Sequence, residues 1–146
     1  MQERLNLIGA LTAHVIFISS IMTFSSRIVF KIGPGHWVGT PLLLMVVPLG
    51  YLLLSAARAN RSLLYYIQVG LMLLFIIILI LVDYVLHFDF RQTQWMVVSF
   101  VVFYFAAMGG MIGVASLAGR GWAISSIVLF LIAAVLAFLQ RSITGY

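Results

Sequence analysis

Leu71-Met72-Leu73-Leu74-Phe75-Ile76-Ile77-Ile78-Leu79-Ile80-Leu81-Val82 is an unbroken apolar stretch with no charge and no alternation. A membrane strand alternates apolar and polar side chains over about 10 residues, so this stretch excludes a barrel. It sits inside a longer run over 62–87. About 20 apolar residues are what a helix needs to cross a hydrocarbon core of about 30 Å. Water is absent from that core, and a helix satisfies its backbone hydrogen bonds within itself.

Similar runs lie on both sides of this one. The spacing predicts five transmembrane helices over 5–30, 38–57, 62–87, 94–118 and 122–140, forming an all-α integral membrane bundle and a single domain over 1–146. Turn-rich breaks separate them: Lys31-Ile32-Gly33-Pro34-Gly35-His36-Trp37, Arg58-Ala59-Asn60-Arg61, Phe88-Asp89-Phe90-Arg91-Gln92-Thr93 and Gly119-Arg120-Gly121. Pro48 and Gly50 predict a kink in the second helix. A bundle of four helices with that segment re-entrant is the alternative. The first run is too long for a signal-peptide h-region and lacks an A-x-A-like cleavage site, so it reads as a retained helix.

Composition agrees. Of 146 residues, 64% are hydrophobic and 8% charged, against about 25% charged in a soluble domain. So few charges cannot cover a globule with a hydrated surface. The net charge of +5 comes from single basic residues between apolar runs, which suits membrane lipids rather than nucleic acid. There is no cysteine, hence no disulfide and no cysteine-ligated cofactor. Five crossings put Arg4, Arg58, Arg61 and Arg120 at one end and Arg27, Lys31, Arg91 and Arg141 at the other. Four basic residues at each end leave the positive-inside rule silent. The compact Arg58/Arg61 turn favours a cytoplasmic amino terminus. Trp37, Trp95 and Trp122 fall where interfacial anchors belong.

The candidate sites are few. Ala106, Gly109, Gly110, Gly113 and Ser116 lie within about 120° on the fourth helix. Gly109 and Gly113 form GxxxG, which lets helix backbones approach in lipid. This is a packing seam inside the bundle or an interface for a homo-oligomer or membrane partner. Thr12, Ser19, Thr23 and Ser26 make a polar stripe whose hydroxyls can bond the carbonyls four residues back. His14, on the opposite face, lies about 14 Å beyond Leu5 along the helix. At that depth it is either a ligand-binding group or a neutral ring with one hydrogen-bond partner. Asp83 and His87 are four apart, a spacing that on a helix lets both reach one ion. With His36 and Asp89 they form a candidate catalytic cluster. Asp83, His87 and His36 are the residues that could hold a divalent metal. Ion pairing of Asp83 with Arg91, Arg27 or Lys31 is the structural alternative. Tyr65 and Gln68 share the Asp83 face of the third helix and, with His14 and Arg91, are candidate ligand contacts.

All three acids, Glu3, Asp83 and Asp89, lie at helix ends, which argues against ion-coupled transport. P-loop, H-E-x-x-H and Ser-nucleophile elbow motifs are missing. The leading expectation is a binding or assembly module for a lipid-like ligand or membrane partner. The second is a membrane enzyme using His36, Asp83, His87 and Asp89, with Arg91 steering an anionic headgroup. The third is a homo-oligomeric channel or facilitator packed through the fourth helix. Five helices in so short a chain resemble the architecture of the tryptophan-rich sensory (translocator) proteins. With three Trp here, that resemblance carries no residue or role across.

Overall fold

A computed structural model describes residues 1–31, 39–87 and 93–145. It contains five helices long and apolar enough to cross a membrane: α1 Gln2–Phe30, α2 Thr40–Arg58, α3 Leu63–Val85, α4 Gln94–Ser116 and α5 Arg120–Thr144. There is no strand among the described residues. The fold is an all-α bundle of five helices, as the apolar runs predict.

Each irregularity has a local cause. α2 breaks at Met45, between Thr40–Leu44 and Val46–Arg58. Pro48 lacks the N–H that would bond the Leu44 carbonyl, and its ring crowds that carbonyl, so the chain gives way one turn before it. Met45 instead donates its N–H to Leu42 O at 3.2 Å. Even so, α2 is long enough to span, and the re-entrant alternative is not needed. The turn into α3 is closed by Arg61 N–H on Ala56 O at 3.1 Å and Asn60 N–H on Ala57 O at 3.4 Å. That pair of bonds needs a left-handed residue after the helix, and Asn60 supplies it at φ 48. α3 ends in a π turn over Leu81–Val85, closed by Leu86 N–H on Leu81 O at 2.8 Å.

The helices form a ring in chain order, α5 closing back on α1, and α1 also packs across the middle against α4. Burial follows: 44% of the apolar window of α1 is buried, against 11% for α5. Gly9 makes the central crossing tight, because a Cβ there would meet Val114 Cγ1 at 2.8 Å. Around Phe75 of α3 gather Phe100, Tyr104 and Phe103 of α4, with ring centroids 5.1, 5.5 and 5.6 Å away. Tyr104 in turn meets Phe24 of α1 at 5.9 Å, and Phe105 meets Phe130 of α5 at 5.9 Å. Such ring packing supplies dispersion contacts between helices, the kind of contact that would hold apolar helices together where lipid offers no hydrophobic drive. Met72, Met108 and Met111 are fully buried and fill the gaps between rings.

Candidate functional site

Polar side chains gather in three places. The first is the end carrying Phe30, Gly39 and His87. Asp83 sits half-buried within the π turn, and Tyr84 places its hydroxyl 3.9 Å from where a Cβ on Gly39 would stand. The expectation that Asp83 and His87 share one helical face does not hold. The helix stops at Val85, the π turn adds a residue to the last loop of backbone, and His87 is exposed at a left-handed φ of 48. Among the described residues no three of His, Asp and Glu converge as a metal site would require. His36, Asp89 and Arg91, the other members expected at this end, lie outside the described residues.

At the opposite end, α1 enters the bundle between two turns and is tied to both. Gln2 Nε2 donates to Ala59 O at 3.2 Å, and Asn6 Nδ2 donates to Leu117 O at 2.9 Å. Arg61 completes the knot. Its Nη2 donates to Gln2 O at 3.3 Å and to Asn6 Oδ1, while its guanidinium carbon lies 5.1 Å from the Tyr65 ring centroid. Tyr65 is 4% exposed beneath it. A guanidinium at that distance over a ring is attracted by the ring quadrupole. Tyr65, expected as a ligand contact, therefore forms the floor of an arginine site.

The third place is the α1–α5 contact. His14 Nδ1 lies 2.9 Å from Ala10 O, and Nε2 lies 2.7 Å from Ser125 Oγ. Trp122 closes the site, its ring plane at 90° to the imidazole and the two centroids 4.9 Å apart. Asn6 is level with Leu117 in the turn before α5, and His14 stands eight residues beyond Asn6, about 12 Å along α1. Measured from Arg120, where α5 starts, the site is about 8 Å in. It is shallower than its distance from Leu5 suggests, because α1 begins before α5 does.

Gln68, the other ligand contact expected on the third helix, lies at the α3–α4 contact. It packs on α4: a Cβ on Gly110 would stand 3.4 Å from its Cα, and a Cβ on Gly113 would overlap its side-chain amide. The small-residue stripe of α4 divides accordingly. Gly110 and Gly113 face α3, a Cβ on Gly109 would meet nothing within 4 Å, and Ala106 and Ser116 are exposed. Two members of the polar stripe of α1 bond to their own backbone, Thr12 Oγ1 donating to Ile8 O and Thr23 Oγ1 to Ser19 O, both at 2.8 Å.

Sequence reasoning singled out His14 and Tyr65 but missed Gln2, Asn6 and Ser125, and it counted Arg61 as charge alone. Gln2 and Asn6 had one readable signal, two amides four apart at the head of an apolar run. Ser125 had none, because its role depends on which helix packs beside it.

These features define a class: a five-helix α bundle, apolar enough to cross a membrane, whose described polar groups sit at helix contacts and helix ends. No family model matches the chain, and neither does any curated protein or solved structure.

Proposed function

We propose that the chain is an integral membrane module that binds a lipid-like ligand or a membrane partner and does no chemistry itself. One observation carries this reading. The polar side chains at the amino-terminal end and in the α1–α5 contact bond helices and turns to one another, from Gln2 and Ala59 to His14 and Ser125. Groups spent in this way build a rigid frame. What the frame offers outward is apolar, with Leu131, Val135 and Phe138 of α5 exposed at 56%, 59% and 63%. Lipid or another membrane helix suits such a face.

The test places a photo-crosslinking residue at Leu131 or Val135 in native membranes, beside native mass spectrometry of the protein released from nanodiscs. A discrete protein adduct or a retained lipid of defined mass is expected. Adducts to bulk lipid alone, with nothing retained on the released protein, would sink the reading.

A second reading, a membrane enzyme at the far end, is favoured by the π turn that carries Asp83, since such turns recur at functional sites. It is tested by the metal content of wild type beside an Asp83→Asn/His87→Ala variant, and by turnover of a total lipid extract. One stoichiometric metal or a lipid product, lost in a variant that still folds, would put this reading first.

A further inference from the structure

We infer that His14, Ser125 and the Trp122 carbonyl form a proton-binding site in the α1–α5 contact, able to hold the neutral and the charged imidazole without moving a heavy atom. The argument starts at Nδ1. Its partner 2.9 Å away is the Ala10 carbonyl, which can only accept, so Nδ1 carries a hydrogen. The second lone pair of that oxygen takes it, the first being used by the helix. In the neutral ring Nε2 is then a bare acceptor, and the Ser125 hydroxyl donates to it over 2.7 Å.

Ser125 has a second possible target. Its Oγ also lies 3.2 Å from Trp122 O, in donor geometry. When a proton binds Nε2, the Ser125 hydrogen turns from the ring to that carbonyl, and the serine oxygen accepts the new Nε2–H. Every donor is satisfied before and after. The added charge stays on the imidazolium, whose ring centroid lies 4.9 Å from that of Trp122. A lone histidine in a helix contact ordinarily loses a partner when it changes state. Here a single hydroxyl rotation replaces it.

Few charges compete. α5 carries Arg120 in its first turn and no other charged residue before Arg141. On α4 the one titratable side chain is Tyr104, whose hydroxyl faces Ser20 of α1. On α2 there are Tyr51 and Arg58, both exposed. On α1 itself Glu3 and Arg4 are exposed, Glu3 three turns before His14 and within about 20° of its face. The partners of His14 belong to the first two turns of α5, so the helix end nearest the site is the amino-terminal one.

Two measurements on the full-length protein in nanodiscs test the site. In a His36→Gln/His87→Gln variant, ring-15N labelling reports His14 alone. At alkaline pH, Nδ1 is expected to carry the hydrogen and Nε2 to be bare, with Nε2 gaining a proton on acidification. In a Trp37→Phe/Trp95→Phe variant, emission comes from Trp122 alone, and an adjacent imidazolium quenches indole. A one-proton loss of emission is expected, absent when His14→Gln is added. The opposite tautomer at alkaline pH, emission that ignores pH, or a loss that survives His14→Gln would each overturn the proposal. If His14→Gln fails to fold, the 15N measurement decides alone.

Discussion

The guanidinium of Arg61 is held by neutral groups: two oxygens of α1 residues and the face of Tyr65. That choice suits arginine, which is weakly hydrated, planar and able to stack while it donates. Lysine offers a compact, strongly hydrated point charge instead. Arg61→Lys should cost about 1–2 kcal/mol from one lost hydrogen bond and the lost stacking. Thermal unfolding in detergent reads this as a lower midpoint. Asn6 accepts from Arg61 and donates to Leu117 O, so Asn6→Ala and Arg61→Lys should combine to less than their sum. Strict additivity would show that the knot is not one unit. Nothing in the local sequence announces it. Arg61 meets partners 55 and 59 residues away, and no period or motif connects them. His14 was visible as an isolated ionisable group in an apolar run, whereas Ser125 became meaningful once α5 was known to lie against α1.

Between elements, the decisive quantity is how closely two backbones approach and what stands in the way. A Cβ at Gly9 would meet Val114 Cγ1 at 2.8 Å, and valine is stiff at χ1 with both methyls at the branch. A Cβ at Gly113 would meet the far end of Gln68, whose flexible side chain can swing aside. Gly9→Ala should therefore lose about 1–3 kcal/mol to overpacking, and Gly113→Ala distinctly less. Val114→Ala should restore much of what Gly9→Ala loses. Unfolding midpoints of the two single variants and the Gly9→Ala/Val114→Ala pair check the order. Equal losses at both glycines, or no rescue, would remove this account of the α1–α4 crossing.

At this scale the helices themselves were legible, because a run of apolar residues bounded by Gly, Pro and Arg has one economical solution in lipid. Pro48 announced a disturbance in α2, although the break falls at Met45, next to the Leu44 carbonyl that Pro48 cannot bond. The π turn at Leu81–Val85 was hidden: Leu81-Val82-Asp83-Tyr84-Val85 reads as ordinary helix. That one turn undoes the i, i+4 logic that paired Asp83 with His87. Small residues on α4 were also read as one stripe, but the neighbouring helix selects Gly110 and Gly113 from it.

Across the whole molecule, five helices and short turns put the two termini at opposite ends. The bonds agree: Gln2 meets Ala59 and Asn6 meets Leu117, so the amino terminus, the α2–α3 turn and the α4–α5 turn share one end. In the sequence, basic residues divide four and four between the two ends, so a cytoplasmic amino terminus is an expectation from the compact Arg58/Arg61 turn, and labelling tests it. The chain has no cysteine, so single-cysteine variants report position without interference. Glu3, Ser62, Thr93 and Ser142 are all exposed and mark the two ends in pairs. In intact cells a membrane-impermeant maleimide should label Thr93→Cys and Ser142→Cys, and reach Glu3→Cys and Ser62→Cys after permeabilisation. The reverse pattern would turn the bundle over while keeping five crossings, and it would move the His14 site to the outer face. Labelling of Glu3→Cys and Ser142→Cys from the same side would require an even number of crossings, contradicting the odd helix count on which the ends were assigned.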